Sequence, residues 1–215
     1  MRVFVIGQSP RPDIEAEIAA AVPGIALRVE GALDGMSRER IAAEAAPRSD
    51  ADALFTVLPS GETVTISKRF VSGRLAARLA EGGPALLCCT GAFHGLPRRA
   101  DIVQPSEVLN GLADSLLPTG TLGLFVPLAE QVATLSAKRA RPGRRVVALP
   151  LSPLADAATI DAAARRMAAE KPDLVILDCM SYTRAGKTRI ASIVGCPILL
   201  SIAVAARAAA SLLPE

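Results

Sequence analysis

Short apolar runs alternate with amphipathic stretches along almost the whole chain. Val3–Ile6, Ile25–Val29, Ala53–Leu58, Pro84–Cys88, Leu122–Val126, Arg145–Leu149, Leu174–Leu177 and Ile198–Leu200 are short enough, and bounded by enough Gly and Pro, to be strands. Between them the apolar spacing predicts helices over 13–22, 37–44, 107–117, 128–140, 188–193 and 202–213, the second capped by Ser37, with two more running from Ser67 or Lys68 to Ala80 and from Asp156 or Thr159 to Glu170. Thr63–Ile66 follows a Pro59-Ser60-Gly61-Glu62 turn and predicts an antiparallel ribbon with the third strand. Strands that are apolar on both faces and separated by helices define a parallel sheet covered on both sides. The expected class is therefore α/β.

The pattern repeats. Pro84-Ala85-Leu86-Leu87-Cys88-Cys89 and Pro172-Asp173-Leu174-Val175-Ile176-Leu177-Asp178-Cys179 each open on a Pro, run through a buried strand and place a Cys just past its end. This predicts two pseudo-symmetric lobes, residues 1–118 and 119–215, joined near Pro118-Thr119-Gly120, with the last helix free to pack back on the first lobe. Each lobe would bring its Cys to the carboxyl end of a strand, where open α/β sheets build their sites.

Composition narrows the functional classes. Of 215 residues 51% are hydrophobic but only 3% aromatic, so Ala, Val, Leu and Ile fill the core. A net charge of +3, without a basic run interleaved with aromatics, argues against a nucleic-acid surface. The cluster Lys138-Arg139-Ala140-Arg141 with Arg144-Arg145 reads as a solvated helix end and turn. Met1–Gly7 is too short for a signal sequence and no stretch has the character of a membrane helix, so a soluble cytoplasmic protein is expected. Four cysteines without a C-x-x-C spacing, beside a single histidine, predict reduced thiols and no metal site.

The chemistry therefore rests on the thiols. A Cys at a strand-to-loop junction can be favoured as thiolate by loop amides and a following helix N-terminus. Cys89 is followed by Thr90 and Gly91, a hydroxyl and a residue that lets backbone approach a ligand. Cys179 is followed by Met180, Ser181, Tyr182 and Thr183, which add two hydroxyls and a phenol. If the lobes face one another, two thiols would flank a small anionic ligand without a cofactor. That arrangement suits proton transfer at a carbon next to a carbonyl, with one thiolate removing a proton and the opposite thiol returning one. Cys88 is expected in the core, and Cys196, between Gly195 and Pro197, is expected to be a small buried hydrophobe. Asp178 either orients a neighbouring group or disfavours the adjacent thiolate.

Five blocks lie in order along nearly the whole chain: Ile6-Gly7-Gln8-Ser9-Pro10-Arg11-Pro12-Asp13, Gly31-Ala32-Leu33-Asp34-Gly35-Met36-Ser37, Leu87-Cys88-Cys89-Thr90-Gly91-Ala92-Phe93, Gly123-Leu124-Phe125-Val126-Pro127-Leu128-Ala129-Glu130-Gln131 and Leu177-Asp178-Cys179-Met180-Ser181-Tyr182-Thr183. Together they resemble the AroM family, which in turn resembles the aspartate/glutamate/hydantoin racemase superfamily. The resemblance implies two flavodoxin-like lobes around a central cleft. It also implies that Cys89 and Cys179 match the paired acid/base cysteines of a racemase, epimerase or isomerase.

Other residues join the candidate site. Arg11 could clamp a carboxylate in bidentate fashion, or stay exposed beside a helix that Asp13 caps. Ser9 and Thr56 could line the same site. His94 is either a proton shuttle or an exposed loop residue. Ser181–Thr188 nearly matches a phosphate-binding loop but has Ser181 where the first Gly belongs, which makes nucleotide binding a minor alternative. Two further readings stay open: a small-ligand-binding or regulatory protein that keeps the cleft without the catalysis, and a hydrolase or lyase with one nucleophilic cysteine. Oligomerisation through the Ala-rich last helix is also compatible with the sequence.

Overall fold

A computed structural model of the chain describes residues 1–93 and 95–214; the His94 expectation lies outside them. The chain divides into two compact units, Met1–Val108 with Ala205–Glu215 and Leu109–Val204.

The first unit carries a four-stranded parallel sheet of β1 (Arg2–Val5), β2 (Arg28–Gly31), β5 (Ala85–Cys88) and β6 (Ile102–Val103), in the order β2-β1-β5-β6. Between its second and third sheet strands, β3 (Ala53–Val57) and β4 (Thr63–Ser67) form a separate antiparallel hairpin, as the sequence predicts. Helices α1 (Pro12–Ala21), α2 (Arg38–Glu44) and α3 (Lys68–Leu79) complete the framework. Ser37 accepts a hydrogen bond from the Arg40 amide and Ser67 from that of Phe70, so both α2 and α3 begin on a hydroxyl cap. Residue alternation along β1 and β5 sends Phe4, Ala85, Leu87 and Cys89 into one hydrophobic cluster with Leu54, Ile66, Leu75 and Phe93.

The second unit repeats the sheet without the hairpin. Its strands β7 (Gly120–Val126), β8 (Arg144–Pro150), β9 (Leu174–Leu177) and β10 (Ile198–Leu200) run parallel in the order β8-β7-β9-β10. Counted within each unit, both sheets therefore have the order 2-1-3-4, the doubly wound arrangement of flavodoxin-like folds. The connecting helices are α5 (Gln131–Arg139), α6 (Ala157–Ala169) and α7 (Arg184–Val194). The remaining two, α4 (Pro105–Leu116) and α8 (Ser201–Ala210), each contain a boundary between the units.

Four local expectations shift for identifiable reasons. β2 begins at Arg28, because the amide of that residue bonds to the Met1 carbonyl and register with β1 follows from there. β6 has only two residues, too few for a pattern to show. α7 begins at Arg184 rather than Thr188, since Thr183 accepts a hydrogen bond from the Gly186 amide. α5 begins at Gln131, after a turn that closes with a bond from the Gln131 amide to the Leu128 carbonyl. No helix among the described residues is long and apolar enough to cross a membrane.

Gly123, in the middle of β7, shows how tightly the second sheet is covered. A Cβ there would lie 2.6 Å from Met167 Sδ on α6 and 2.9 Å from Val175 Cγ2 on β9. Overpacking of this kind costs about 1–3 kcal/mol. Urea denaturation of G123A should show a loss of that size, whereas a loss below about 0.5 kcal/mol would mean that Met167 moves aside freely.

Candidate active site

In the first unit, β1 leads into a loop tied down by hydrogen bonds. The Gly31–Met36 segment serves as its cradle. Leu33 N–H donates to the Gly7 carbonyl, and Gln8 Nε2 donates to the carbonyls of Met36 at 2.7 Å and Leu33 at 3.3 Å. Asp34 accepts from the Gly31 amide, the Ser9 amide and the Ser9 hydroxyl. Gly31 permits this approach, because a Cβ on it would sit 2.4 Å from Asp34 Oδ1 and 2.6 Å from the Gly7 carbonyl oxygen. From α3, Arg74 donates to the carbonyls of Ala32 and Asp34, and Arg78 to that of Gly31. Two of the five sequence blocks are thus two halves of one loop-and-cradle structure.

Ser9 and Arg11 are accordingly engaged within the protein. Arg11 is buried, with its fork on Asp13 at 2.8 and 2.5 Å and Nη1 3.4 Å from the Val57 carbonyl. Neither half of the exposed-Arg11, capping-Asp13 alternative matches: Arg11 itself occupies the cap position of α1, without a side-chain cap bond. Burial raises the Asp13 carboxyl, but hydrogen bonding and charge from Arg11 outweigh it, leaving the pKa below the ordinary 3.8. Thr56, near the end of β3, is buried with Oγ1 against Gly7, where a Cβ would come within 2.4 Å of it.

Cys89 stands one residue past β5. Its amide donates to the Leu87 carbonyl at 2.9 Å, an i to i+2 turn that stops the strand. Its sulfur accepts a hydrogen bond from the Gly91 amide at 3.3 Å, which favours a negative sulfur. Gly91 fits closely here: a Cβ there would lie 3.1 Å from Leu54 Cδ2, which would have to give by a few tenths of an ångström, and 3.4 Å from Cys89 Sγ. Thr90 is buried beside it.

The second unit builds the same turn. The Cys179 amide donates to the Leu177 carbonyl at 3.0 Å, making Cys89 equivalent to Cys179, and Cys88 to Asp178. Met180 and Tyr182 are buried and Ser181 is half-buried. The Tyr182 amide reaches the Cys179 carbonyl at 3.4 Å, and its hydroxyl donates to the Leu151 carbonyl at 2.5 Å. Tyr182 and Thr183 also line a cavity of about 320 Å³ between the loop after β8 and helices α6 and α7, with Leu151, Pro153, Ile160 and Arg189 among the other walls. Because Thr183 already satisfies the Gly186 amide, the near match to a phosphate loop is a helix cap in structure.

The basic cluster corrects the sequence reading most sharply. Arg139 is 1% exposed and donates to Asp178 Oδ2 at 2.9 Å, deep in the second unit. Arg144 is buried as well, bonding to Asp114 and to the carbonyls of Ala113 and Leu117. The missed signal is spacing: Val132, Leu135 and Arg139 fall on one face of α5, so Arg139 occupies an apolar stripe. Cys196 is half-buried rather than buried as expected, because it sits in the exposed turn between Gly195 and Pro197, and burial and Asp173 push its thiol up, which disfavours the thiolate.

Among solved structures, arylmalonate decarboxylase aligns over 98% of this chain and 91% of its own, at 14% identity and a TM-score of 0.57. Glutamate racemase from Francisella tularensis subsp. tularensis SCHU S4, in complex with D-glutamate, aligns over 99% and 80%, at 14% identity and a TM-score of 0.56. Allantoin racemase from Pseudomonas fluorescens aligns over 99% and 90%, at 13% identity and a TM-score of 0.56. The fold is thus that of the racemase-like α/β proteins, with a parallel-sheet lobe in each half. No curated protein matches the sequence significantly. The model of the AroM protein family matches residues 1–213, and the chain belongs to that family.

Tyr182 offers a direct check on the second unit. Burial, then the neighbouring Cys179 and Asp178, raise its phenol well above the ordinary 10.0. A raised acid is neutral in the folded state, so this contribution to stability is complete below pH 10 and is lost as pH climbs through the folded pKa. The chain has one tyrosine and no tryptophan, so absorbance at 295 nm reports this phenol alone. A titration should show no rise near pH 10 and a single step coincident with alkaline unfolding. An ordinary reversible step near 10 would place the phenol in solvent.

Proposed function

We propose that this protein is a cofactor-independent racemase, epimerase or isomerase of a small carboxylate-bearing molecule, with Cys89 and Cys179 as its two proton-transferring thiols. The reading rests chiefly on one observation: two sheets of the same strand order each end a central strand in the same i to i+2 turn, and each turn contains a cysteine. One thiolate removes the proton from the carbon beside a carbonyl, and the other thiol delivers a proton to the opposite face. The Gly91 amide, already directed at Cys89 Sγ, helps the first thiol to carry charge. In this reading Ser9, Arg11, Thr56, Thr90, Gly91, Met180, Ser181, Tyr182 and Thr183 surround the substrate. The solved relatives whose names specify glutamate and allantoin racemases make small amino acids and ureides the first compounds to try.

A second reading, a small-ligand-binding protein without proton chemistry, is favoured by the burial of Cys89 in the first unit's hydrophobic cluster, since apolar surroundings disfavour a thiolate. Arg11 is held by Asp13 and Ser9 by Asp34, so in either reading a ligand anion would have to compete for both. Solvent-deuterium exchange separates the two readings. Incubation with a panel of amino acids, hydantoins and ureides in D₂O should label at least one compound at its acidic carbon. C89S and C179S should each lower that exchange by about 10²-fold or more, the usual contribution of a positioned acid or base. Ligand binding by calorimetry without exchange anywhere in the panel would favour the binding protein, and exchange unaffected by either serine would remove the thiols from the mechanism.

A further inference from the structure

The two strand-end turns are built alike but backed differently. Behind Cys89 stands Cys88, an uncharged residue that pairs with Val5 at the end of the sheet. Behind Cys179 stands Asp178, whose amide bonds to the Phe125 carbonyl and whose carboxylate faces Arg139 at 2.9 Å. Both side chains of that ion pair are 1% exposed or less. Arg139 Nε and Nη1 meet no hydrogen-bond acceptor among the described residues, so the guanidinium is poorly satisfied apart from Asp178. The same strand order and the same turn form in the first unit with Cys88 in this place. The turn itself therefore forms without buried charges behind it, and burying such a pair in place of apolar side chains generally gives little or no net stability.

We infer that Arg139 is a positioning residue for Cys179 that acts through Asp178, anchoring the turn beneath the thiol and offsetting the carboxylate that adjoins it. The inference rests on the reading of Cys179 as a proton-transferring thiol. A carboxylate one residue away disfavours a thiolate, and a buried guanidinium on that carboxylate cancels the effect. Arg139 comes from the last turn of α5, where its charge also suits the helix dipole, so the cation is delivered by a rigid element. The second turn is thus backed by a guanidinium from α5 on its carboxylate, and the first by the uncharged Cys88.

The test is the rate of iodoacetamide labelling of Cys179 in the full chain at pH 7.5, resolved by peptide mass spectrometry. R139M should slow labelling and D178N should speed it, each roughly tenfold, because an adjacent charge moves a thiol by about one pKa unit or more. The double variant R139M/D178N should return to within about threefold of the native rate, as should R139K, which restores the charge. A purely structural pair predicts that both single variants loosen the turn and change the rate in the same direction; that result, or any pattern other than opposite signs, overturns the inference. If R139M does not fold, D178N and R139K decide it, and D178N labelling no faster than native overturns it. The proton-transfer reading fails separately, when C179S leaves deuterium exchange intact.

Discussion

A parallel strand covered on both faces has no side on which to display a polar group. Every residue of β5 and β9 is buried, so the sheets of this protein can offer chemistry only where strands stop. How a strand stops then becomes the controlling feature. Here the stop is an amide turned back on the carbonyl two residues earlier, at Leu87 in one unit and Leu177 in the other. It takes Cys89 and Cys179 out of the hydrogen-bonded ladder while leaving both side chains buried, Cys89 against the first unit's hydrophobic cluster with the Gly91 amide on its sulfur. The rest of each unit fixes where that occurs, through the register of the neighbouring strands.

Arginines tie the loops to this frame. Arg74 and Arg78, one helical turn apart on α3, reach the carbonyls of the Gly31–Asp34 cradle, and Arg144 collects Asp114 and the end of α4. These guanidiniums mostly bond to backbone oxygens, which suits a planar donor with several N–H groups at fixed angles. An Arg-to-Lys exchange at these positions would keep the charge but lose the shape.

Much of this was legible from residue patterns. Apolar runs of strand length, alternating with helical spacing, carry the α/β class, the hairpin at Thr63 and the duplication, because burial on both faces leaves an unmistakable run of Val, Leu and Ile. The positions of Cys89 and Cys179 past the strand ends were legible for the same reason. What escaped was tertiary. The engagement of Arg11 by Asp13 and of Ser9 by Asp34 depends on how a loop after β1 meets another after β2, which no local pattern encodes. Arg139 was hidden by its charged neighbours Lys138 and Arg141, although its place on the apolar face of α5 was in the sequence throughout.

The unit boundaries have a consequence for the order of assembly. The second unit is a single uninterrupted stretch, Leu109–Val204, while the first includes a segment, Ala205–Glu215, that follows it in the chain. On a ribosome, the half of the fold that emerges later is therefore the half that can be finished first. The earlier half, with its sheet strands and hairpin already made, waits for its last piece until its sibling has been synthesised. That closure spans the whole second unit, and contacts of such long sequence separation form late as a rule.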